Sequence, residues 1–161
     1  MKNLILVRHA KSSWEAPLGD IDRPLLQRGV SDAGEVALAS LNYIPRQFNI
    51  WSSKARRARD TALIFAKELG FPAENIFFKD ELYTFDHQKL EQIIKTLPAD
   101  YNNMILFGHN EAITNFVNKF GDVFITNVPT SGFVSIQFDC NDWQSIDKGI
   151  TLKTIFPKDL K

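Results

Sequence analysis

The chain has 161 residues, with nineteen basic side chains against nineteen acidic ones. That length suits one domain able to bury a core without disulfides or metals. The charge balance leaves no net field to draw in nucleic acid or a membrane, so anion recognition must come from a few placed cations. Cys140 is the only cysteine, which excludes an internal disulfide framework and fits a reducing compartment; the apolar run near Met1 is too short for a secretory core or a bilayer span, so a cytoplasmic location is expected.

Leu4-Ile5-Leu6-Val7 reads as a fully buried strand, and its end, Arg8-His9, brings a cationic pair to the rim of a sheet, where open α/β folds bind ligands. Lys11 to Gly29, with Pro17, Gly19 and Pro24, is long for a connection and is expected to form a loop over the site. Ser31 is expected to cap a helix whose apolar positions Ala33, Val36, Ala37 and Leu41 recur at helical spacing, ending near Pro45. Phe48 to Trp51 is a second short strand. A helix from about Ala55 follows, with Ala58, Ala62, Phe65, Ala66 and Leu69 on one face, and Gly70 stops it before Pro72.

Ile76 to Phe78 reads as a third strand. Leu90, Ile93, Ile94 and Leu97 mark an amphipathic helix running to Pro98, and Met104 to Phe107 a fourth buried strand ending at Gly108-His109. Ile113, Phe116, Val117 and Phe120 repeat the helical spacing. Phe133 to Phe138 and Ile150 to Phe156 alternate with period two, around a turn signal at Cys140-Asn141-Asp142. The alternation implies an α/β fold: a three-layer α/β/α sandwich, 1–161 as a single domain, its sheet mostly parallel with an antiparallel edge.

In a parallel sheet the first, second and fourth strand ends lie on one edge, so His9, His109 and an arginine from the helix after Ser52-Ser53 can converge. Such a cluster is built for phosphate: guanidinium matches phosphoryl oxygens as a planar fork, and helix N-termini add N–H donors. The other reading leaves His109 as a strand-end polar group and Lys54, Arg56, Arg57 and Arg59 as a solvated helix face. His87, beside Asp86 before a helix, is assigned no role. The histidines lack metal-ligand spacing, and neither a P-loop nor a dinucleotide fingerprint is present. Cys140 has Ile146, not arginine, six residues on, which removes a thiolate phosphatase loop. Asp20-Ile21-Asp22 follows a loop rather than a buried strand, which sets aside an aspartyl-phosphate nucleophile. A histidine nucleophile remains.

Arg8-His9-Ala10-Lys11-Ser12, Ser52-Ser53 with Arg57-Ala58 and Thr61-Ala62, and Gly108-His109-Asn110 resemble, in order and context, the signature set of the histidine phosphatase superfamily, with its phosphoglycerate-mutase-like fold. Arg23-Pro24-Leu25 with Arg28-Gly29, Leu82-Tyr83 and Pro129-Thr130 resemble its short branch, the SixA-type phosphohistidine phosphatases. The resemblance implies that His9 is a transiently phosphorylated nucleophile, that Arg8, Arg57 and His109 bind the phosphoryl oxygens, and that no metal or other cofactor takes part. Lys11, Ser12 and Arg23 would be peripheral substrate contacts. A neutral His9 requires an acceptor for its other N–H, and a backbone carbonyl or side chain is expected there.

The sequence departs from the family in Ala10 for glycine, Glu15 for the asparagine of mutase-like members and Glu111 for the branch's proline. Both carboxylates are expected to point away or be paired. Glu81 is the candidate general acid. The implied activity is a metal-independent phosphatase acting on a protein phosphohistidine of a phosphorelay, with a histidine phosphotransfer domain as partner. The alternatives are hydrolysis of small phosphoesters, or a catalytically idle phosphate-binding module; the chain has no room for the insertions of a mutase.

Overall fold

Alternating side chains of the central strands serve two cores at once. In β1 (Lys2–Arg8), Leu4 and Leu6 face one hydrophobic cluster while Ile5 and Val7 face another. In β4 (Asn103–Gly108), Met104 and Leu106 divide from Ile105 and Phe107 in the same way. Strands buried on both faces read as continuous apolar runs, which is why both were legible as such. A computed structural model describes residues 1–15 and 19–161.

The remaining elements are α1 (Gln27–Ser40), β2 (Asn49–Ser53), α2 (Arg56–Leu69), β3 (Phe77–Lys79), α3 (His87–Lys95), α4 (Ala112–Phe120), β5 (Phe133–Phe138) and β6 (Ile150–Ile155). They build one six-stranded sheet in the order β3-β2-β4-β1-β5-β6. β1 to β4 pair in parallel, whereas β5 runs antiparallel to both β1 and β6. Ala33, Val36, Ala37, Phe65 and Ala66 of α1 and α2 join one cluster; Leu90, Ile94, Ile113 and Phe116 of α3 and α4 join the other. The three-layer α/β/α arrangement and its antiparallel edge agree with the sequence pattern. No helix among the described residues is long and apolar enough to cross a membrane.

The first helix differs from expectation. It starts at Gln27, with Leu26 rather than Ser31 at its N-cap and no capping side chain. The extended Leu26 already accepts the first helical bond, from Val30 N at 3.1 Å, so the helix nucleates ahead of the serine. Gly29, read as the end of a loop, belongs to the first turn, because a Cβ there would stand 2.2 Å from the Lys11 carbonyl oxygen. The segment read as a loop is therefore partly ordered against the site: Ser12 bridges Leu25, and Asp20–Asp22 forms a 3-10 turn. Pro17, within that segment, lies outside the described residues. α2 ends as its sequence dictates, with Gly70 left-handed at φ 69°. Asp86 caps α3 by accepting from Gln88 N at 2.9 Å, which leaves His87 as the first helical residue.

Candidate active site

Register puts the site together. Arg8 of β1 lies beside Gly108 of β4, and His9 N donates to Gly108 O at 3.1 Å, so the two residues that follow these strands, His9 and His109, emerge side by side with ring centroids 5.4 Å apart. β2 pairs with the other side of β4 and ends at Ser53, which leads through Ala55 into α2; Arg57 thereby stands in the first turn of that helix. This is the carboxyl edge of the parallel strands, where the sheet order departs from the chain order.

His9 is 8 % exposed, and its Nδ1 lies 2.8 Å from the carbonyl oxygen of Ala10. A carbonyl only accepts, so Nδ1 carries the proton and Nε2 the lone pair. Burial, and then the positive charges of Arg57, Arg8 and Arg23, push the His9 pKa down to about 4 against the pull of that carbonyl. The imidazole is thus neutral at physiological pH, with its acceptor where the sequence required one. Ala10 N donates to Thr61 Oγ1 at 2.8 Å and that hydroxyl donates to Arg57 O at 2.7 Å, which ties the backbone behind His9 to α2. Ser131, at φ 62°, donates its N–H to both Arg8 O and His9 O at 3.1 Å.

His109 is buried beneath Tyr83 and Phe85, whose ring centroids lie 5.2 and 5.5 Å away. Its pKa is pushed down to about 3 by burial and then by His9 and Arg57. Its Nε2 lies 2.8 Å from Ser53 Oγ, which already accepts from Ala55 N at 3.1 Å.

The two guanidiniums are held by one edge each. Arg8 donates from Nη1 to Val128 O at 2.9 Å. Arg57, 2 % exposed, donates from Nη1 to Asp20 O at 2.7 Å and from Nη2 to Asp20 Oδ2 at 3.1 Å. Arg8 Nε, Arg57 Nε and His109 Nδ1 are buried without a hydrogen-bond partner among the described residues. Three buried nitrogens, two of them guanidinium N–H groups, are what a tetrahedral oxyanion would satisfy.

A cavity of about 780 Å³ opens over Arg8, His9 and Arg57, and Lys11, Ser12 and Arg23 also reach its wall; His109, 1 % exposed, is not part of that wall. Arg23 is clamped by Ser13 O at 3.1 Å, by Asp20 Oδ1 at 3.0 Å and by the Ser12 hydroxyl, with the Trp14 ring 3.2 Å from its guanidinium carbon. Lys11 is exposed beside it. Glu81 does not join them. The 3-10 turn Asp80–Leu82 sends Leu82 into the core and leaves Glu81 exposed outside the cleft wall. Glu111 is exposed and also outside the wall. Glu15, contrary to expectation, lines the cleft, at an exposed position where water screens its charge.

Sequence reasoning missed Asp20. Its carboxylate accepts from Arg57, Arg23 and the Tyr83 hydroxyl, and those bonds, with Tyr83 the largest contributor, push its pKa down to about 2 against partial burial. Asp20 is therefore an internal counter-ion of the arginine cluster. Spacing gave no signal for it, since Tyr83 is 63 residues away.

The profile of the histidine phosphatase superfamily (branch 1) matches residues 4–124. The chain belongs to that family. It is, as such, a phosphatase, with the hydrolase chemistry that its sequence resemblance implied. An uncharacterised chloroplast protein of Arabidopsis thaliana is 32 % identical over 154 residues, covering 89 % of this chain and 69 % of the relative. Among solved structures, the protein histidine phosphatase SixA complexed with tungstate shares the fold at 18 % identity and a TM-score of 0.83, over 99 % of both chains. A putative SixA from Agrobacterium tumefaciens matches at 22 % identity and TM-score 0.79, over 96 % of this chain and 97 % of that one. A mycobacterial glucosyl-3-phosphoglycerate phosphatase matches at 14 % identity and TM-score 0.70, over 94 % and 97 %.

Proposed function

We propose that this histidine phosphatase hydrolyses protein phosphohistidine, as a cytoplasmic enzyme acting on a histidine phosphotransfer domain of a phosphorelay, through a phosphorylated His9. The lone pair on His9 Nε2 attacks phosphorus while the bond from phosphorus to the substrate's ring nitrogen breaks. The departing ring, protonated on its other nitrogen, leaves as neutral imidazole. Water then attacks the phosphorylated His9, and orthophosphate departs as Nε2 regains its lone pair. Arg8 and Arg57, through their free Nε–H groups, and His109 hold the phosphoryl oxygens in both steps, where fixed cations contribute most of the catalysis of phosphoryl transfer. Lys11, Ser12 and Arg23 contact the substrate farther out.

One observation carries the choice of substrate. The carboxylates in the described wall of the cleft are Asp20, held ionised by two guanidiniums and a tyrosine, and the exposed Glu15. Neither is a buried carboxylic acid aimed at a leaving group. An alkoxide needs a proton delivered in the transition state, whereas imidazole, with a pKa of about 6.5, departs without one.

The test is a substrate panel that sets a phosphohistidine-bearing phosphotransfer domain against small alkyl phosphomonoesters, with His9→Ala as control and rapid-quench capture of phosphate on His9. Phosphohistidine should be turned over far faster, through an acid-labile phosphoenzyme absent from His9→Ala. Equal rates on alkyl phosphates, or turnover with no phosphoenzyme, would overturn the reading.

A further inference from the structure

The cleft continues past the arginine cluster. A second cavity, of about 490 Å³, adjoins the first; Lys11, Arg28, Asn127, Pro129 and Thr130 belong to the walls of both, and Lys158 stands in the wall of the second alone. Lys11, Arg28 and Lys158 are exposed, and among the described residues none of them has a carboxylate within 4.0 Å. Elsewhere, among the described residues, Lys54, Arg56, Arg59, Lys95, Lys119 and Lys161 each reach one, while Arg46, Lys67, Lys79, Lys89, Lys148 and Lys153 stand apart from this cavity without one. The carboxylate that does line the second cavity, Asp32, is engaged by Lys161 at 3.1 Å. Three cations without a carboxylate partner thus share the walls of one cavity, next to the phosphate cluster.

Their placement is set by the backbone. The Lys11 carbonyl accepts from Leu26 N at 2.9 Å, and the close approach of Gly29, which leaves no room for a Cβ, locks the first turn of α1 against the residue two places after His9. Arg28 rides on that turn, beside Lys11. Cations that share one cavity wall repel, and an anion lodged between them relieves the repulsion.

We propose that this annex is a second anion subsite, which takes a phosphate or carboxylate group borne by the same substrate whose phosphoryl sits at Arg8, His9 and Arg57. It rests on the phosphoryl site proposed above, and it adds a requirement that the reactive phosphoryl does not impose. Substrates with a second anion on the α1 side bind better than those without. Each exposed ion pair gives roughly 1.5- to fivefold in affinity, so the three cations together give about tenfold.

The experiment compares matched substrates on the native enzyme and on Lys158→Glu. One pair is a phosphohistidine peptide with glutamate or glutamine beside the phosphohistidine; the other is a sugar bisphosphate and its monophosphate; p-nitrophenyl phosphate, a lone phosphoryl, is the baseline. On the native enzyme, KM should be about tenfold lower for the member of a pair with the second anion, a preference that fades in about 1 M salt, where the screening length is about 3 Å. Lys158→Glu should erase the preference and leave p-nitrophenyl phosphate turnover unchanged. Discrimination within the peptide pair identifies a protein side chain as the source of the anion, and discrimination within the sugar pair a second phosphate. No discrimination in either pair, or equal losses on all substrates in Lys158→Glu, overturns the subsite. If the enzyme ignores phosphohistidine altogether, the substrate reading fails while the sugar pair still decides the annex.

Discussion

Two histidines leave neighbouring parallel strands and face each other, yet their protons are governed differently. His9 Nδ1 meets a backbone carbonyl, which admits a single tautomer whatever side chains surround it. His109 Nε2 meets the Ser53 hydroxyl, which can donate or accept. Ser53 Oγ accepts the Ala55 N–H and still has a proton to give; donated to His109 Nε2, it leaves the imidazole proton on Nδ1, the atom without a partner among the described residues and the tautomer that a phosphoryl oxygen requires. In the proposed mechanism, the ring that donates its lone pair is set by main chain, and the ring that holds an oxygen is set by one replaceable side chain.

Removing either histidine should therefore do different things. His9→Gln, which keeps a polar side chain but no imidazole, should abolish both the phosphoenzyme and turnover, the largest effect expected; residual phosphoenzyme by rapid quench would move the nucleophile elsewhere. Protonation does the same reversibly. With a pKa pushed down to about 4, His9 stays neutral well below the usual imidazole value of about 6.5, so kcat/KM should hold to about pH 5 and fall through a limb near pH 4. A limb near 6.5 would mean that the burial and the arginines do not act as described. The linkage to stability has the opposite window. Between about 6.5 and the lowered folded values, the unfolded state binds protons that the folded histidines refuse, so thermal stability should decline as pH falls through that range.

Ser53→Ala addresses the second ring. It removes the donor that fixes the His109 tautomer; outright loss of a preorganised oxyanion donor costs roughly 100- to 1,000-fold in kcat, the upper limit for Ser53→Ala, which leaves the ring in place. Imidazole nitrogen chemical shifts should show the proton redistributed between Nδ1 and Nε2, a change that a mere packing defect would not produce, and Ser53→Thr should restore both shift and rate. A smaller effect is expected at Asp20→Asn. The cluster gains a net positive charge, so inorganic phosphate should inhibit more strongly, while kcat falls roughly fivefold as Arg57 exchanges a charge-assisted bond for a neutral one, a difference of about 1 kcal/mol. Weaker phosphate inhibition would show that Asp20 serves only to shape the loop.

What the sequence made legible has a local cause. Arg8 and His9 follow an apolar run, His109 follows another, and Arg57 starts a periodic helix; each position is fixed by the element it abuts, and parallel pairing does the rest. Asp20 and Ser53 were illegible in their roles because those depend on partners brought together by the fold, 37 and 56 residues away for Arg57 and His109. The start of α1 was misplaced for a related reason. Ser31 looks like a cap, but packing of Gly29 against Lys11 O draws the helix start back to Gln27.

The smallest effect is expected at Glu81. A carboxyl group outside the cleft cannot reach a leaving atom, so Glu81→Gln should change turnover of phosphohistidine and of any alkyl phosphate by less than about twofold, the range of an ordinary surface substitution. The value of so small a prediction lies in its pairing. A positioned acid accelerates departure of a basic leaving group by roughly 10²- to 10⁴-fold and does little for imidazole, so a large loss confined to alkyl phosphates would reinstate Glu81 as a proton donor through a rearrangement of the Asp80–Leu82 turn. Indifference on both substrates leaves the enzyme without a placed acid, and the burden of leaving then falls on the substrate, where the low basicity of imidazole carries it.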